Sequence, residues 1–225
     1  MAKKIIITGS SGMVGKGVLL ECLDSPFIEK VLVINRSSIN MQHPKLNEIL
    51  LPDFLQVETI KDQLKGYDAC FYCMGVSSLG MNEETYHKIT YSTAKAFVDV
   101  LFDLNPDMIF NYVSGTGTDS TEKGSTMWAS VKGKTENMVL GKGFKDAYAF
   151  RPGGILPERG IKSRTGWYNA IYFITRPLFP LFRRSTNITT TTKLGKAMIN
   201  TLQFPSEKKV LENRDINALA EKGNN

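Results

Sequence analysis

The 225-residue chain is long enough to bury the core of one domain, and its 42% hydrophobic and 22% charged content excludes a disordered or collagen-like protein. Three cysteines exclude a fully paired disulfide framework, and a strand directly after the first lysines leaves no room for a leader peptide, so we expect a cytoplasmic protein. The net charge of +6 is uneven: residues 151–225 carry 13 Lys and Arg against 5 Asp and Glu, and residues 1–150 carry 15 against 17. The basic part is either a solvated face or a surface that meets an anion, such as a phosphorylated substrate.

Strand and helix patterns alternate along most of the chain. In chain order they predict a strand at Lys4–Thr8, a helix at Met13–Leu23, strands at Lys30–Asn35 and Leu46–Leu51, a short helix ending near Gly66, a strand at Asp68–Met74, a helix at about Glu83–Leu104, a strand at Met108–Val113, a helix at Thr126–Leu140 and a strand at Ala147–Arg151. The later residues predict a Gly/Pro loop, a threonine N-cap, a helix near Lys193–Leu202 and a strand around Val210. Apolar strands separated by helices predict a doubly wound parallel α/β sheet, the Rossmann fold.

The first predicted turn from strand to helix holds three glycines at a spacing of three residues. In a doubly wound sheet this turn faces the ligand crevice: Gly9 allows the tight turn, Gly12 lets the backbone approach a pyrophosphate, and Gly15 lets the helix pack on the strand. The helix N-terminus supplies free N–H groups, and the two serines supply hydroxyl donors. The predicted dinucleotide contacts of this turn are Gly9, Ser10, Ser11, Gly12, Met13, Val14 and Gly15.

The end of the second strand indicates which dinucleotide binds. An NAD site usually places an acidic residue there for the ribose hydroxyls, but this chain has Asn35, Arg36 and Ser37. An arginine can pair with a 2′-phosphate, and the segment contains no acid that would repel one, so the sequence favours NADP over NAD. The alternative is that Arg36 is a solvated loop residue.

Cys70 and Cys73 form a CxxC pair, for which we reject both a redox and a zinc interpretation. Residues three apart on a strand point to opposite faces, whereas a redox pair works at a helix N-terminus. His43 and His87 do not supply the further ligands that zinc requires, so we expect no metal site.

Around "TGSSGMVG" the chain resembles the atypical, epimerase-like branch of the short-chain dehydrogenase/reductase superfamily, which carries a TGxxGxxG loop. Four further ordered motifs, "LLPDF", "YCMGVSS", "NYVSG" and "RPGGILP", extend the resemblance over most of the chain. The resemblance implies a catalytic serine at Ser114. It also implies cofactor contacts at Asp53, Phe54, Met74, Gly75, Val76, Pro152, Gly153, Gly154 and Ile155.

The catalytic pair of this family is a tyrosine and a lysine four residues apart on one helix face. The lysine lowers the pKa of the tyrosine and binds the cofactor ribose, and the tyrosine exchanges a proton with the substrate while hydride moves. In "WASVK", Lys132 matches as a catalytic and cofactor-binding residue, but Trp128 occupies the tyrosine position. An indole N–H offers no phenolic proton, so the standard reductase mechanism does not carry over directly.

Three interpretations of this departure stay open. In the first, another group supplies the proton, with Tyr86, Tyr91, Tyr112 or a water as candidates. In the second, the chain is a catalytically silent NADP(H)-binding regulatory or interaction protein. In the third, Lys132 and Ser114 suffice for a reaction that needs only oxyanion stabilisation and hydride positioning. Because Ser114 and Lys132 are both present, the sequence favours an NADP(H)-binding oxidoreductase or epimerase-like enzyme that acts on a small substrate.

The region after residue 150 is expected to shape the substrate pocket. Residues 1–150 are then the NAD(P)-binding core, and residues 151–225 a small substrate lobe that completes the same single domain. Residues 164–184 interleave arginines with aromatic residues, which indicates a peripheral membrane anchor, a lid over an apolar substrate, or core packing. The helices at Glu83–Leu104 and Thr126–Leu140 could form a homodimer unless their apolar faces pack on the sheet. No recognition motif for nucleic acid is visible, so we expect no nucleic-acid partner.

Overall fold

Nine strands and six α-helices make up the regular structure of residues 2–161 and 185–223, which are the residues that this computed structural model describes. The strands are β1 (Lys3–Thr8), β2 (Ile28–Asn35), β3 (Leu46–Leu50), β4 (Ala69–Tyr72), β5 (Ile109–Val113), β6 (Asp146–Arg151), β7 (Gly154–Leu156), β8 (Ile188–Thr190) and β9 (Val210–Glu212). The α-helices are α1 (Met13–Asp24), α2 (Glu83–His87), α3 (Thr93–Leu104), α4 (Met127–Leu140), α5 (Thr191–Asn200) and α6 (Asn213–Glu221). A 3-10 segment covers Phe54–Leu64, and a π-helical segment, Lys88–Ser92, joins α2 to α3.

Seven of these strands form one parallel sheet in the order β3-β2-β1-β4-β5-β6-β9. The strands are apolar on both faces because helices cover both: Ile5 and Ile7 lie in one core cluster, and Ile6 between them lies in the other. The chain moves outward from β1 to β3 and then returns to β4 on the other side of β1, so the strand order reverses there. The predicted doubly wound fold is confirmed, and its ligand crevice is expected at the carboxyl ends of these strands.

The chain after residue 185 returns to the same sheet and to the helical layer beside α1. α5 packs along α1, and Gly17 permits the close approach, since a Cβ atom there would lie 2.6 Å from Thr191 Cβ. α6 packs against α5, and β9 pairs with β6 as the last strand of the sheet. A separate two-stranded sheet joins β7 to β8, with Gly154 opposite Ile188. The described C-terminal residues therefore belong to the layers that enclose the core.

The observed elements differ from the predicted ones where short or irregular structure occurs. The predicted short helix is a 3-10 segment that begins earlier, at Phe54, because the Asp53 side chain caps it by accepting from the Leu55 N–H at 3.0 Å. The sequence patterns do not predict β7, β8 or α6, because three-residue strands show no periodicity and α6 has only nine residues. The threonine N-cap is confirmed: the Thr190 hydroxyl accepts from the Lys193 N–H at 3.0 Å.

The basic aromatic segment at 164–184, with its three alternative roles, lies outside the described residues. Within the described ranges 2–161 and 185–223, no helix combines the length and the apolar character that crossing a membrane requires.

Candidate functional site

A cavity of about 540 Å³ opens at the carboxyl ends of β1, β2, β3 and β4. This volume lies within the range of small-molecule and cofactor sites. The predicted cofactor contacts that line it are Gly9, Ser11, Gly12, Asn35, Arg36, Ser37, Asp53, Phe54, Met74, Gly75 and Val76. The fold thus brings four strand ends that are distant in sequence to one site.

The remaining predicted contacts are not among the residues that line this cavity. Ser10, Met13, Val14 and Gly15 belong to the glycine loop and the first turn of α1. Lys132 is on α4, and the predicted loop 152–155 follows β6 at the same edge of the sheet. The six residues that line the cavity without having been predicted are Pro52, Leu55, Cys73, Lys88, Ile89 and Thr93.

The glycine loop between β1 and α1 forms a backbone cradle, in which a side chain at Gly9 or Gly15 would overlap neighbouring backbone atoms. Gly9 has φ +72°, and a Cβ atom there would lie 2.7 Å from the carbonyl oxygen of Cys73. A Cβ atom at Gly15 would lie 2.3 Å from the Gly9 carbonyl oxygen, whereas one at Gly12 would lie 3.4 Å from it. No side chain of the described residues caps α1, and its first turn holds no acidic residue. The N–H groups of this turn are therefore suited to an anion.

A chain of hydrogen bonds holds the end of β2 and includes a carboxylate. Ser10 Oγ donates to Asn35 Oδ1 at 2.9 Å, and Asn35 Nδ2 donates to Glu48 Oε1 at 2.9 Å. Glu48 also accepts from Ser38 Oγ at 2.6 Å and from the Ile39 N–H at 3.1 Å. Burial raises the pKa of Glu48, but these hydrogen bonds outweigh burial and lower its pKa overall. The Asn35 amide is therefore engaged within the protein.

Glu48 is an acidic residue near the end of β2 that the sequence analysis missed. It lies on β3, and its place beside β2 follows from the strand register, in which it is opposite Val33. No spacing rule in the sequence gives this register. Arg36 and Ser37 both line the cavity, and their contact with a dinucleotide stays a prediction.

Lys132 reaches the loop that follows β5. Its Nζ donates to the Ser114 carbonyl oxygen at 2.5 Å. A Cβ atom at Gly115 would lie 3.6 Å from this Nζ and 3.8 Å from the carbonyl oxygen of Pro152, so the three segments are adjacent. Burial lowers the pKa of Lys132, although the Glu136 carboxylate one helical turn away acts to raise it.

The Ser114 hydroxyl belongs to a buried ionic network. It donates to Glu136 Oε1, and the Phe150 carbonyl oxygen lies 3.2 Å away. The Glu136 side chain has no exposed surface and pairs with Arg151, whose Nε lies 3.0 Å from Oε1 and 3.2 Å from Oε2. Arg151 also donates to Ser120 Oγ. The Ser114 hydroxyl is therefore hydrogen-bonded within the protein. Its catalytic role stays a prediction.

Trp128 lies one helical turn before Lys132, where the resemblance expects a tyrosine. Its ring packs on the β5 loop: ring atom Cη2 would lie 3.3 Å from a Cβ atom at Gly117, which has φ +86°. Glycine at this position therefore makes room for the indole.

The three tyrosines considered as alternative proton donors lie outside the lining of the cavity. Tyr86 and Tyr112 are each 1% exposed, and burial raises the pKa of both phenols. The Tyr91 ring packs against the His87 ring in a tilted arrangement with 4.8 Å between ring centroids, and Lys134 Nζ lies 4.9 Å from the Tyr91 centroid. Deep burial leaves Tyr86 and Tyr112 unsuited to exchange a proton with a substrate.

Asn213, at the start of α6, fixes the loop that follows β6. The Gly153 N–H donates to Asn213 Oδ1 at 3.2 Å, and Asn213 Nδ2 donates to the Asn187 carbonyl oxygen. Asn213 is 6% exposed. The sequence carries no signal for this contact, because it joins residues 60 apart in the chain.

The CxxC pair lies at the end of β4. Cys70 is buried within the strand, and Cys73 lines the cavity. Burial raises the pKa of both thiols, so neither is a reactive thiolate at neutral pH.

Comparison with known proteins identifies relatives of the same fold. Protein HTATIP2 from Rattus norvegicus is 26% identical over 219 residues, which cover 95% of this chain and 88% of that protein. A short chain dehydrogenase family protein from Francisella tularensis subsp. tularensis superposes with a TM-score of 0.63 at 14% identity, over 96% of this chain and 93% of that one. The enzyme WbmF from Bordetella bronchiseptica, solved in complex with NAD+, superposes with a TM-score of 0.66 at 13% identity, over 97% and 77% of the two chains. No protein-family model matches the chain. Both solved structures share the fold of this chain, and the Francisella tularensis protein belongs to the short chain dehydrogenase family that the sequence resembles.

Proposed function

We propose that this chain binds NADP(H) at the carboxyl edge of its sheet and acts as an oxidoreductase or epimerase-like enzyme on a small substrate. The observation that carries the proposal is the cavity, which the glycine loop and Arg36 both border. No acidic side chain of the described residues pairs with Arg36. The NAD+ in the structure of the Bordetella bronchiseptica protein supports a nicotinamide dinucleotide as the class of cofactor.

The residues present fit such a dinucleotide. The cradle at Gly9 has no room for a side chain, and a Cβ atom at Gly75 would meet no atom within 4 Å, so backbone borders open space there. The N–H groups of α1 would hold the pyrophosphate, Arg36 a 2′-phosphate, and Lys132 the nicotinamide ribose. When bound, the nicotinamide supplies or accepts a hydride.

Arg36→Glu is expected to raise the dissociation constant for NADPH about tenfold or more and to leave that for NADH within about twofold. The reason is that the substitution reverses the charge that faces the 2′-phosphate. Each dinucleotide is titrated by energy transfer from tryptophan and confirmed by calorimetry. Lys65→Glu, an equal charge change at an exposed residue outside the cavity, is the control. Equal NADPH affinities of wild type and Arg36→Glu would refute NADP selection by Arg36.

The residues next to Lys132 suit stabilisation of an oxyanion. The Lys132 ammonium lies within 2.5 Å of the Ser114 carbonyl oxygen and beside the loop that follows β6. The exposed Thr116 hydroxyl lies in the loop that follows β5, and its oxygen would be 3.0 Å from a Cβ atom at Gly153, in the loop that follows β6. A fixed cation stabilises negative charge that develops on a substrate oxygen without reorganisation at the moment of reaction.

Trp128→Tyr is expected to raise the NADPH-dependent reduction of small aldehydes and ketones about a hundredfold, because it supplies a phenolic proton one helical turn from Lys132. The measurement is the absorbance of NADPH over a panel of carbonyl compounds. Trp128→Phe removes the indole without supplying a hydroxyl and serves as the control. If the tyrosine and phenylalanine variants turn over equally, the missing phenol is not what limits this site.

The rival function is a catalytically silent NADP(H)-binding regulatory or interaction protein. Trp128 favours it, and so does the burial of Tyr86 and Tyr112, because neither of these two phenols is accessible to a substrate. If this function is correct, the wild-type chain is expected to bind NADPH but to turn over none of the carbonyl compounds in the same panel. Turnover by the wild type would exclude it.

A homodimer, a cytoplasmic location and membrane contact through residues 164–184 stay predictions. Dimer formation through α3 and α4 would use polar surface, because Phe97, Leu101 and Val139 are buried in the core of the chain. The outward side of α3 carries an ion pair between Lys95 and Asp99. Sedimentation equilibrium of the purified chain tests the dimer.

A further inference from the structure

The helix after β4 contains a π-helical turn that redirects its side chains. The sequence predicts one continuous α-helix, but Lys88–Ser92 is π-helical. The Thr93 N–H donates to the Lys88 carbonyl oxygen, and the Thr93 hydroxyl donates to the same oxygen at 3.1 Å. Hydrogen bonds that span five residues define a π turn, and such turns are frequently found at functional sites.

The π turn brings Lys88 and Thr93 to one side of the helix. In an α-helix, residues five apart are separated by about 140° around the axis, which places them on different sides of the helix. Here Lys88, Ile89 and Thr93 all line the cavity. Thr93 is 6% exposed, and its hydroxyl bond to the Lys88 carbonyl oxygen fixes the turn that carries the lysine.

Lys88 adds a second cation to the cavity and gives its lining an excess of positive charge. The charged side chains in its lining are Arg36, Lys88 and Asp53, so cations outnumber carboxylates. Among the described residues, no acidic side chain pairs with Lys88. Arg36 and Lys88 approach from different parts of the fold, after β2 and after β4, and these strands flank β1 and its glycine loop.

We propose that Lys88 is a second phosphate-binding residue of this cavity and binds a phosphate of the dinucleotide. This rests on the proposed function, since it needs the dinucleotide to occupy the cavity. Two phosphate sources share this chemistry, the pyrophosphate and the 2′-phosphate. A primary ammonium is a point charge that binds either, and each such charge-assisted hydrogen bond is stronger than a neutral one.

The test compares NADPH and NADH binding by wild type, Lys88→Met and Lys95→Met. Lys88→Met keeps the length of the side chain and removes the charge. Lys95→Met removes the same charge from an exposed residue of α3, outside the cavity, and is the matched control. Lys88→Arg restores a cation and is expected to bind like wild type. Thermal unfolding of all four proteins establishes that they are equally folded.

The expected result is a rise of about tenfold in the dissociation constant for Lys88→Met and no change for Lys95→Met. An equal rise for NADPH and NADH assigns Lys88 to the pyrophosphate, and a rise for NADPH alone assigns it to the 2′-phosphate. Wild-type affinity of Lys88→Met for both dinucleotides overturns the proposal and leaves the proposed function standing. If wild type binds neither dinucleotide, the proposed function fails, and the assignment of Lys88 fails with it.

Discussion

Glu136→Gln is expected to lower the free energy of unfolding by about 3 kcal/mol, because it leaves the Arg151 guanidinium without its buried counter-ion. The Glu136 side chain has no exposed surface and that of Arg151 is 13% exposed, so water replaces little of the lost interaction. Glu212 is the other carboxylate near Arg151. Its Oε1 lies 3.8 Å from the guanidinium, and its side chain is 42% exposed. It is too distant and too solvated to substitute for Glu136.

Urea denaturation of the wild type and the variant measures this loss. Glu122→Gln is the matched control, because Glu122 is exposed and accepts a single hydrogen bond, from Asn137 Nδ2. The double variant Glu136→Gln with Arg151→Met is expected to be more stable than the sum of the two single losses predicts, since it leaves no unpaired charge. A change below about 1 kcal/mol for Glu136→Gln would mean that the buried pair contributes no more than a surface ion pair.

Gly15→Ala is expected to lower the free energy of unfolding by about 3 kcal/mol, because the added methyl group would overlap the backbone of the glycine loop. Its Cβ would lie 2.3 Å from the Gly9 carbonyl oxygen and 2.6 Å from the Gly9 carbonyl carbon. Neither atom can move without displacing α1 from β1. The same displacement would remove the cradle, so NADPH binding is expected to fall together with stability.

Gly12→Ala separates these two effects. Its Cβ would be 3.4 Å from the Gly9 carbonyl oxygen, and its φ of −88° suits any residue. This variant is expected to unfold at nearly the wild-type urea concentration but to bind NADPH at least about tenfold more weakly, because the methyl group occupies the approach to the pyrophosphate. Equal loss of stability in Gly12→Ala and Gly15→Ala would contradict the separate roles of the two glycines.

The sequence predicts the elements whose side chains are buried on a regular period. β1 and β2 are continuous apolar runs, and α3 repeats buried residues such as Phe97 and Leu101 at helical spacing. Such patterns arise because the apolar residues of these elements are buried between the sheet and the helical layers. The short β7 and β8 show no such periodic pattern, since each is held by a partner strand more than thirty residues away.

The candidate site is predictable where one loop supplies it and not where separate elements meet. The glycine loop and Arg36 could be identified because strand, glycines and helix follow one another in the chain. The contact of Glu48 with Asn35 depends on strand register, and the hydrogen bond of Ser114 with Glu136 depends on how α4 packs. The π turn at Lys88 has no mark in the sequence, because the same residues are compatible with a regular α-helix.

The bond between Gly153 and Asn213 has a consequence for the order in which the protein matures during synthesis. The ribosome releases the N-terminal part first, so β1 to β6 can begin to assemble while later residues are still being added. The loop after β6 cannot acquire its Asn213 contact until 60 more residues have emerged. The nascent chain therefore passes through a stage in which its glycine loop exists but the loop beside Lys132 lacks its anchor, and this half of the site matures last.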